Sequence, residues 1–392
     1  MAIQMTMRFP RAWLWLVDET IPNYVKKKYS PRESWKDKPF SKEDAQFFFK
    51  GVEELSDLFT EDRLKHMPAY FAHPKYRSAY LLYFLPLQAA KFLTLFDEYR
   101  AALDSALRYG RELGCLRIAD LGVGPGTASI SVLLWLLDQV SSTTKLRATP
   151  GTSELPPIEL YWFDTQDSVM KDGIALVEEM ANQFPKLRGK VTVHTFQTPW
   201  WKATSELPHG LALTLMGHIL NETSSSQQLQ NSFWNEIFEK TSGGGTLVLE
   251  PATRKTAQQI SDLRDHLFET ETLPASPQSI WGPCLHAGAC PLRDGRDWCH
   301  FSSPVDIPGK WFKSLSKALG SERHWVKYSY LWFASKEYPA PKPDAKLRRV
   351  VSDPLSKALK TEVLICEPGE TQRWAVNANQ ETGRGDVVKV IR

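Results

Sequence analysis

The stretch that most constrains the fold of this chain is Leu116–Thr127, with the sequence LRIADLGVGPGT. Its first half is apolar enough for a short buried strand and carries the acid Asp120. The apolar run Ala128–Val140 after it predicts a helix. Between the two lie three glycines at alternate positions: Gly122, Gly124 and Gly126. Because glycine permits positive φ and a close backbone approach, and a helix N-terminus offers unpaired N–H groups, the stretch predicts a ligand-binding turn.

The dinucleotide fingerprint G-x-G-x-x-G requires a glycine where Thr127 stands, so that fingerprint is not met. An acid followed by alternating glycines resembles instead the turn of S-adenosyl-L-methionine (SAM) methyltransferases. We expect Asp120 to receive the ammonium group of a methionine moiety. We expect Asp164, at the end of the next predicted strand, to accept both ribose hydroxyls. A tight turn without a ligand is the alternative.

From Cys115 onward, apolar strands alternate with helical segments. This alternation predicts an α/β fold with a parallel, doubly wound, Rossmann-like sheet of the class I SAM methyltransferase type. The predicted strands are Leu116–Leu121, Ile158–Phe163, Lys190–Phe196, Leu211–Met216, Thr246–Glu250 and Trp325–Phe333. The predicted helices are Ala128–Val140, Ser168–Asn182, Gln227–Glu239 and Lys255–Glu271.

The pattern divides the chain into four predicted parts. Residues 1–110 form a helical N-terminal domain and 111–275 the SAM-binding core. Residues 276–305 form a Cys-rich metal-binding insertion, and 306–392 hold the last core strands and a short, basic, β-rich C-terminal extension.

Three finer expectations concern local structure. Residues 1–40 show no regular pattern, and Ser242–Gly245 predicts a flexible turn before a strand. Ser41 and Asp44 predict the cap of a helix that ends at Phe59. A second helical region, from about residue 75 to 109, is expected to break at Pro86.

Composition limits the class of protein. Of 392 residues, 42% are hydrophobic and 24% are charged, as in soluble globular proteins. The most apolar stretch, Ala79–Phe96, is interrupted by Pro86 and Lys91, so we expect no membrane span. Without an evident secretory signal, the cytoplasm is the default location and the mitochondrial matrix the alternative. We expect a monomer.

Charge is unevenly distributed. Residues 101–300 carry 16 basic and 22 acidic side chains, whereas residues 301–392 carry 16 basic and 10 acidic ones. A basic C-terminal part suits contact with phosphates, and ordinary solvated lysines are the alternative.

The segment after the fourth predicted strand, Met216–Glu222 (MGHILNE), is where a methyl acceptor is expected. It lacks the Asn/Asp-Pro-Pro-aromatic motif of amine methyltransferases, and no cysteine nucleophile follows it closely. The candidate catalytic residues are His218, as a general base, and Asn221. A structural role for His218 is the alternative.

Four cysteines predict a metal site. Cys284, Cys290 and Cys299 are clustered, and Cys366 follows after 66 residues. The paired C-x2–4-C knuckles common in zinc sites are missing, which favours an iron–sulfur cluster, but His286 and His300 suit zinc. Spacing alone leaves both metals open.

The segments around these cysteines, PCLHAGACPL at 283–292 and DWCHFS at 297–302, resemble a known signature. It is that of the methyltransferase-like family associated with the mitochondrial small ribosomal subunit and its bacterial relatives. Further agreement lies in Tyr76–Pro86, Asp120–Thr127, Leu249–Pro251, Lys327–Tyr330 and Leu364–Gly369. The resemblance covers about residues 70–370. It implies a SAM-methyltransferase fold, action on small-subunit ribosomal RNA (rRNA) during assembly, and a [4Fe–4S] cluster on Cys284, Cys290, Cys299 and Cys366.

The expected function is therefore that of a SAM-binding methyltransferase-like protein acting on the small ribosomal subunit, by rRNA methylation, subunit assembly or both. A non-catalytic RNA-binding assembly factor with an iron–sulfur cluster is one alternative, and the missing acceptor motif favours it. A small-molecule or protein methyltransferase is another. The residues expected to hold SAM are Asp120, Gly122, Gly124, Gly126 and Asp164.

Overall fold

A computed structural model describes residues 8–60, 70–141, 154–223, 229–269, 279–320, 324–355, 361–376 and 382–390. Helices make up the N-terminal part as far as residue 113. They are α1 (Ile21–Tyr29), α2 (Glu33–Lys36), α3 (Lys42–Thr60), α4 (Pro74–Ala79), α5 (Leu85–Glu98) and α6 (Arg100–Leu113). Segments Trp15–Thr20 and Tyr80–Phe84 are π-helical, and Tyr70–Ala72 is a 3₁₀ turn.

Strands and helices then alternate. The strands are β1 (Leu116–Leu121), β2 (Ile158–Phe163), β3 (Val191–Phe196), β4 (Leu211–Gly217), β5 (Thr241–Pro251), β6 (Ile280–Gly282), β7 (Phe301–Pro304) and β8 (Trp325–Phe333). The helices between them are α7 (Thr127–Ser141), α8 (Asp167–Gln183), α9 (Asn231–Lys240), α10 (Arg254–Glu269) and α11 (Lys310–Ala318). The ends of two predicted helices, at residues 227–228 and 270–271, lie outside the described residues.

The central sheet has the order β3-β2-β1-β4-β5-β8-β6, and β7 also pairs with β8. Strands β1 to β5 are parallel, whereas β8 runs antiparallel to β5. The predicted α/β fold with a mostly parallel sheet is confirmed. The chain turns back between β1 and β4, so the switch point, where open α/β sheets bind ligands, lies at the carboxyl end of β1.

The prediction that residues 1–40 are irregular is wrong. The described part of this segment contains α1, and Trp15–Thr20 leads into it as a helical turn. Buried Trp13, Leu16, Val17, Ile21 and Val25 recur at helical spacing and pack into the core. Proline at position 22 closely follows the π-helical segment Trp15–Thr20, and the widened turn accommodates its missing N–H within the helix.

The predicted flexible turn Ser242–Gly245 is also wrong, because it lies inside β5. A Cβ on Gly243 would stand 2.6 Å from the carbonyl oxygen of Ala212 in β4, and one on Gly244 would collide with the carbonyl oxygen of Ala102 in α6. The glycines therefore let β5 press closely against two neighbouring backbones, which is a second reason for glycine runs besides flexibility.

Helical structure continues from α4 to α5 through the π-helical segment Tyr80–Phe84, just before Pro86. A widened turn accommodates the missing proline N–H, so the expected break is a local change in hydrogen bonding. Among the described residues, Pro74–Glu98 meets the length and composition of a membrane span, and 83% of its most apolar window is buried inside the protein. That burial is typical of a core helix.

One apolar core joins the N-terminal helices to the sheet, and it includes residues of α1, α3, α5, α7 and α11. The C-terminal part adds β9 (Leu347–Arg349), β10 (Thr361–Glu367), β11 (Glu370–Val376) and β12 (Val387–Lys389). These strands form two antiparallel pairs, β10–β11 and β9–β12, around a small cluster of valine and isoleucine side chains. The division into four domains stays a prediction.

Candidate cofactor site and cysteine cluster

A cavity of about 770 Å³ opens at the carboxyl ends of β1, β2 and β4, where the switch point predicts a ligand. Its walls come from the turn between β1 and α7 at residues 122–126, called the glycine turn below. The segments after β2, β3 and β4 and the N-terminal helices complete them. The side chains and backbone groups discussed below that line it are Phe71, Tyr80, Gln88, Phe92, Asp120, Gly122, Gly124, Asp164, Trp200, Trp201, His218, Asn221 and Lys255.

The three glycines of the turn all have positive φ, with values of 70°, 52° and 79° for Gly122, Gly124 and Gly126. Gly122 and Gly124 line the cavity. A Cβ on Gly126 would instead stand 2.6 Å from the ring of Trp162, a core residue. The structure therefore brings two of the predicted glycines to the cavity, while the third allows the start of α7 to pack on the sheet.

Asp164 follows β2 and fixes the shape of the turn. Its Oδ2 accepts the N–H of Gly124 at 2.9 Å, and its Oδ1 accepts the N–H of Gln166 at 2.8 Å. Burial raises the pKa of this carboxyl group, although the backbone hydrogen bonds oppose the rise. Asp164 also lines the cavity, so its remaining lone pairs suit ligand hydroxyl groups.

Asp120 borders the cavity but bonds to the first turn of α7. Its Oδ2 accepts the N–H of Ser129 at 3.0 Å and the Oγ–H of Ser129 at 2.7 Å. The indole N–H of Trp162 donates in turn to Ser129 Oγ at 2.9 Å. Burial raises the pKa of Asp120 to about 7, and only 2% of the residue is exposed. A role in binding an ammonium group stays a prediction.

The segment after β4 is held by an acid in β5. Glu250 is fully buried, and its Oε1 accepts the N–H groups of Ile219 and Leu220, each at 2.8 Å. His218, just before them, is a non-glycine residue with φ of 63°. Such conformations persist where the surroundings enforce them, often at functional sites. The structure places both catalytic candidates, His218 and Asn221, on the cavity wall.

Three buried amide and indole atoms at the cavity have no hydrogen-bond partner among the described residues. They are the acceptors Gln88 Oε1 and Asn221 Oδ1 and the donor Trp200 Nε1. An unsatisfied buried polar group costs about 1–3 kcal/mol, so the three suit a ligand that carries N–H donors and an acceptor. Sequence analysis missed Gln88 and Trp200. A lone amide in an apolar helix and a Trp-Trp pair just after a strand were the available signals.

The structure brings the four predicted cysteine ligands into one region. Burial raises the pKa of the Cys299 thiol well above its ordinary value, and negative charge on Cys284, Cys290 and Cys366 raises it further. A negative charge on any of these three sulfur atoms therefore disfavours a charge on Cys299. In the described part of the chain, no group of three or more His, Cys, Asp or Glu side chains is arranged to hold a metal ion.

Residues of α10 and of the segment between β6 and β7, which carries Cys284, Cys290 and Cys299, surround these thiols. Arg264, whose side chain is 2% exposed, donates through Nε to Cys284 Sγ at 3.2 Å and forms an ion pair with Asp265. Its Nη2 donates to the carbonyl oxygens of His286 and Gly288 at 2.8 and 2.7 Å. His286 Nε2 lies 3.2 Å from Cys366 Sγ, which joins the loop to β10. His300 stacks on Trp298.

Comparison with known proteins gives one family match. The family described as mitochondrial small ribosomal subunit Rsm22 matches residues 87–389. Its description agrees with the mitochondrial alternative for location and gives no support to the cytoplasmic default. No curated protein matches the chain.

Solved structures of methyltransferases show low similarity. A Listeria monocytogenes protein assigned to the class I SAM-dependent methyltransferases is 11% identical, with 83% of this chain and 82% of that one covered and a TM-score of 0.36. An O-methyltransferase family protein from Burkholderia thailandensis is 13% identical, with coverage of 75% and 71% and a TM-score of 0.33. A Pyrococcus horikoshii protein assigned as an RNA methyltransferase is 14% identical, with coverage of 73% and 98% and a TM-score of 0.31. These scores add nothing to what the strand order shows.

Proposed function

Because the chain belongs to the mitochondrial small ribosomal subunit Rsm22 family, we propose that it binds SAM and acts on that subunit inside mitochondria. Its action would be methylation of the rRNA, support of subunit assembly, or both. The observation that carries the proposal is the cavity at the switch point, in which Asp164 holds the backbone of Gly124 at 2.9 Å.

The residues around the cavity fit the parts of SAM. When bound, SAM supplies an electrophilic methyl group. Asp164 offers carboxylate oxygens to the ribose hydroxyls, and Gly122 and Gly124 let the backbone approach the ligand. Gln88 Oε1 offers an acceptor to the ammonium group of SAM. It lies on the β4 side of the cavity, because Phe92, one helical turn further along α5, contacts Gly217 at the end of β4. Asp120 and Ser129 fix the start of α7.

The assembly-factor alternative has a specific observation in its favour. The acceptor segment after β4 has no Asn/Asp-Pro-Pro-aromatic motif, and Glu250 fixes its backbone at Ile219 and Leu220. Methyl transfer depends largely on positioning the acceptor. A pocket that has a fixed wall and lacks a motif for positioning the methyl acceptor suits a different role for SAM. In that role the bound SAM stabilises the protein for RNA binding.

We further propose that Cys284, Cys290, Cys299 and Cys366 hold a [4Fe–4S] cluster, with zinc as the alternative. Thiolates that repel one another suit a cationic group, and metal binding offsets that repulsion. The Arg264 N–H that donates to Cys284 Sγ suits a ligated sulfur, which stays an acceptor. The group would clip the loop 284–299 to β10 in the C-terminal part.

The test begins with binding of SAM to the purified protein by calorimetry. Labelled SAM is then incubated with the protein and immature mitochondrial small subunits, with Asp164→Asn as the control. Label in the rRNA that is lost in the control indicates a methyltransferase. Subunit binding without label indicates the assembly factor. Label that appears only in protein or small molecules, without subunit binding, would overturn the ribosomal role.

The metal is tested separately. Anaerobic purification should yield iron and acid-labile sulfide, and both should fall in Cys366→Ser. Stoichiometric zinc without sulfide would reject the cluster.

A further inference from the structure

The carboxylate of Asp172, on α8, is fully buried and collects donors from the N-terminal helix α1. Its Oδ1 accepts the hydroxyl of Tyr24 at 2.7 Å and the ammonium of Lys28 at 2.6 Å. Its Oδ2 accepts the hydroxyl of Tyr29 at 2.6 Å. A buried carboxylate is costly unless it is paired and hydrogen-bonded, so these contacts fix α1 on α8.

Arg77, on α4, joins this carboxylate to the Tyr70–Ala72 turn. Its Nε lies 3.3 Å from Asp172 Oδ2, and its Nη1 donates to the carbonyl oxygen of Phe71 at 2.8 Å and to Ser168 Oγ at 3.1 Å. The same Nε donates to the Tyr29 hydroxyl at 3.1 Å, and Tyr29 in turn donates to Asp172. Because a guanidinium group is planar and rigid, it holds the carboxylate and the turn at a fixed separation.

The Phe71 ring is one wall of the cavity. It lies 3.5 Å from the place where a Cβ on Gly124 would stand, and it packs on Tyr80 with ring centroids 5.1 Å apart. Both aromatic residues line the cavity. The distance between Phe71 and the glycine turn therefore sets the width of the cavity at Gly124.

Helix α8 also supports the opposite wall. A Cβ on Gly173, the neighbour of Asp172, would stand 2.5 Å from the carbonyl oxygen of Pro125, which lies inside the glycine turn. The helix thus contacts the glycine turn directly, and Arg77 connects it to the Tyr70–Ala72 turn. One rigid element supports both sides of the cavity.

We infer that Arg77 is a positioning residue for the ligand cavity, which holds Phe71 against the glycine turn from the buried carboxylate of Asp172. The inference rests on the proposed binding of SAM. Arg77 acts through Phe71 and need not touch the ligand. Its removal should let Phe71 move away from Gly124, so the bound ligand should escape faster.

The experiment compares Arg77→Gln, Phe71→Ala and the double variant. Lys28→Gln is the matched control, because Lys28 also pairs with Asp172 and its bonds within the described part of the chain go to Asp172 and Tyr24. Arg77→Lys is a second test variant that keeps a positive charge near Asp172 but lacks the planar guanidinium group. SAM affinity and the dissociation rate of S-adenosylhomocysteine are measured, along with the unfolding midpoint in urea.

We expect Arg77→Gln and Arg77→Lys to weaken SAM binding by at least about fivefold, the lower end of typical coupling between sites, mainly through faster dissociation. The double variant should bind no more weakly than Phe71→Ala, because Arg77 acts through Phe71. Lys28→Gln should leave affinity unchanged. If Arg77→Gln does not fold, Arg77→Lys and Phe71→Ala still give the comparison.

Additive losses in the double variant, or unchanged affinity in Arg77→Lys, would overturn the positioning role. An equal loss in Lys28→Gln would also overturn it, since a general loss of stability would then explain the effect. If the wild-type protein binds no SAM, the proposed function fails. If the wild type binds SAM and the Arg77 variants bind it equally well, only the positioning role of Arg77 fails.

Discussion

Gln259 and Arg264 lie on the same helix, α10, and hold two different sites. Gln259 Nε2 donates to the carbonyl oxygen of Leu220 at 3.2 Å, next to the cavity residue Asn221. Arg264 Nε donates to Cys284 Sγ at 3.2 Å. The helix also places Lys255 on the cavity wall. A single rigid element therefore connects the candidate cofactor cavity to the cysteine cluster.

Replacement of Arg264 by methionine should strongly destabilise the protein. It takes the guanidinium group away from the buried carboxylate of Asp265 and from two carbonyl oxygens, and loss of one partner of a buried ion pair costs about 3–5 kcal/mol. Arg373→Met is the control, because Arg373 is 72% exposed and pairs with Glu362 on the surface. Urea denaturation measures the free energy of unfolding. Similar losses in both variants would contradict the assignment.

Alanine at Gly124 and at Gly126 should act differently, although both have positive φ. Left-handed backbone costs alanine about 1–2 kcal/mol at either position. At Gly126 the new Cβ also meets the Trp162 ring at 2.6 Å, and such overpacking costs about 1–3 kcal/mol more. At Gly124 the methyl group has room beside Phe71 but enters the cavity.

Gly126→Ala should therefore lose more stability in urea, and Gly124→Ala should lose more SAM affinity relative to its loss of stability. The reverse ranking for stability would show that the packing of Trp162 is looser than described.

Asp120 should give the protein a pH-dependent stability. Burial raises the pKa of its carboxyl group from an ordinary 3.8 to about 7, so the folded state binds a proton in a pH range where the unfolded state has released it. Its contribution to stability is therefore complete below pH 4 and is lost as the pH rises towards 7. Asp120→Asn carries no such charge.

Wild type should accordingly lose roughly 2–3 kcal/mol relative to Asp120→Asn between pH 5 and pH 8, measured by urea denaturation. Asp138→Asn, further along α7, is the control and should run parallel to wild type. A constant difference between wild type and Asp120→Asn would contradict the raised pKa.

Replacement of Gln88 by leucine should weaken SAM binding by about 10-fold to 150-fold, the equivalent of a hydrogen bond to a charged group of roughly 1.5–3 kcal/mol. The amide acceptor has no partner among the described residues and suits the ammonium group of the ligand. 5′-Methylthioadenosine lacks that group, so its affinity should not change. Gln139→Leu, on the outer part of α7, is the control. An equal loss for both ligands would show that Gln88 does not contact the amino-acid part.

The sequence predicted the sheet well where burial is continuous. The strands β1, β2 and β8 have the predicted bounds, because runs of apolar and aromatic residues between turn-forming segments match strands buried on both faces. Ser41 and Asp44 also form the predicted cap, with each side chain accepting the backbone N–H of the other residue at 3.3 and 2.8 Å.

The failures have physical causes. Glycines at 243–245 suggest a turn, but here they permit close packing, and a sequence does not state which of the two applies. Pro22 lies inside the helical segment at residues 13–29, where a proline usually interrupts a helix, although the apolar spacing around it indicates one. Gln88 reaches the cavity only because Phe92 brings α5 against β4 at Gly217, which is a tertiary contact that no local pattern contains.

Trp13 and Pro308 are 295 positions apart, yet the indole N–H of Trp13 donates to the carbonyl oxygen of Pro308 at 2.7 Å. During synthesis, which starts at the N-terminus, more than three hundred residues must therefore be made before this hydrogen bond can form. Contacts between such distant positions slow folding. The first helices are the earliest part to be made and among the last to complete their packing.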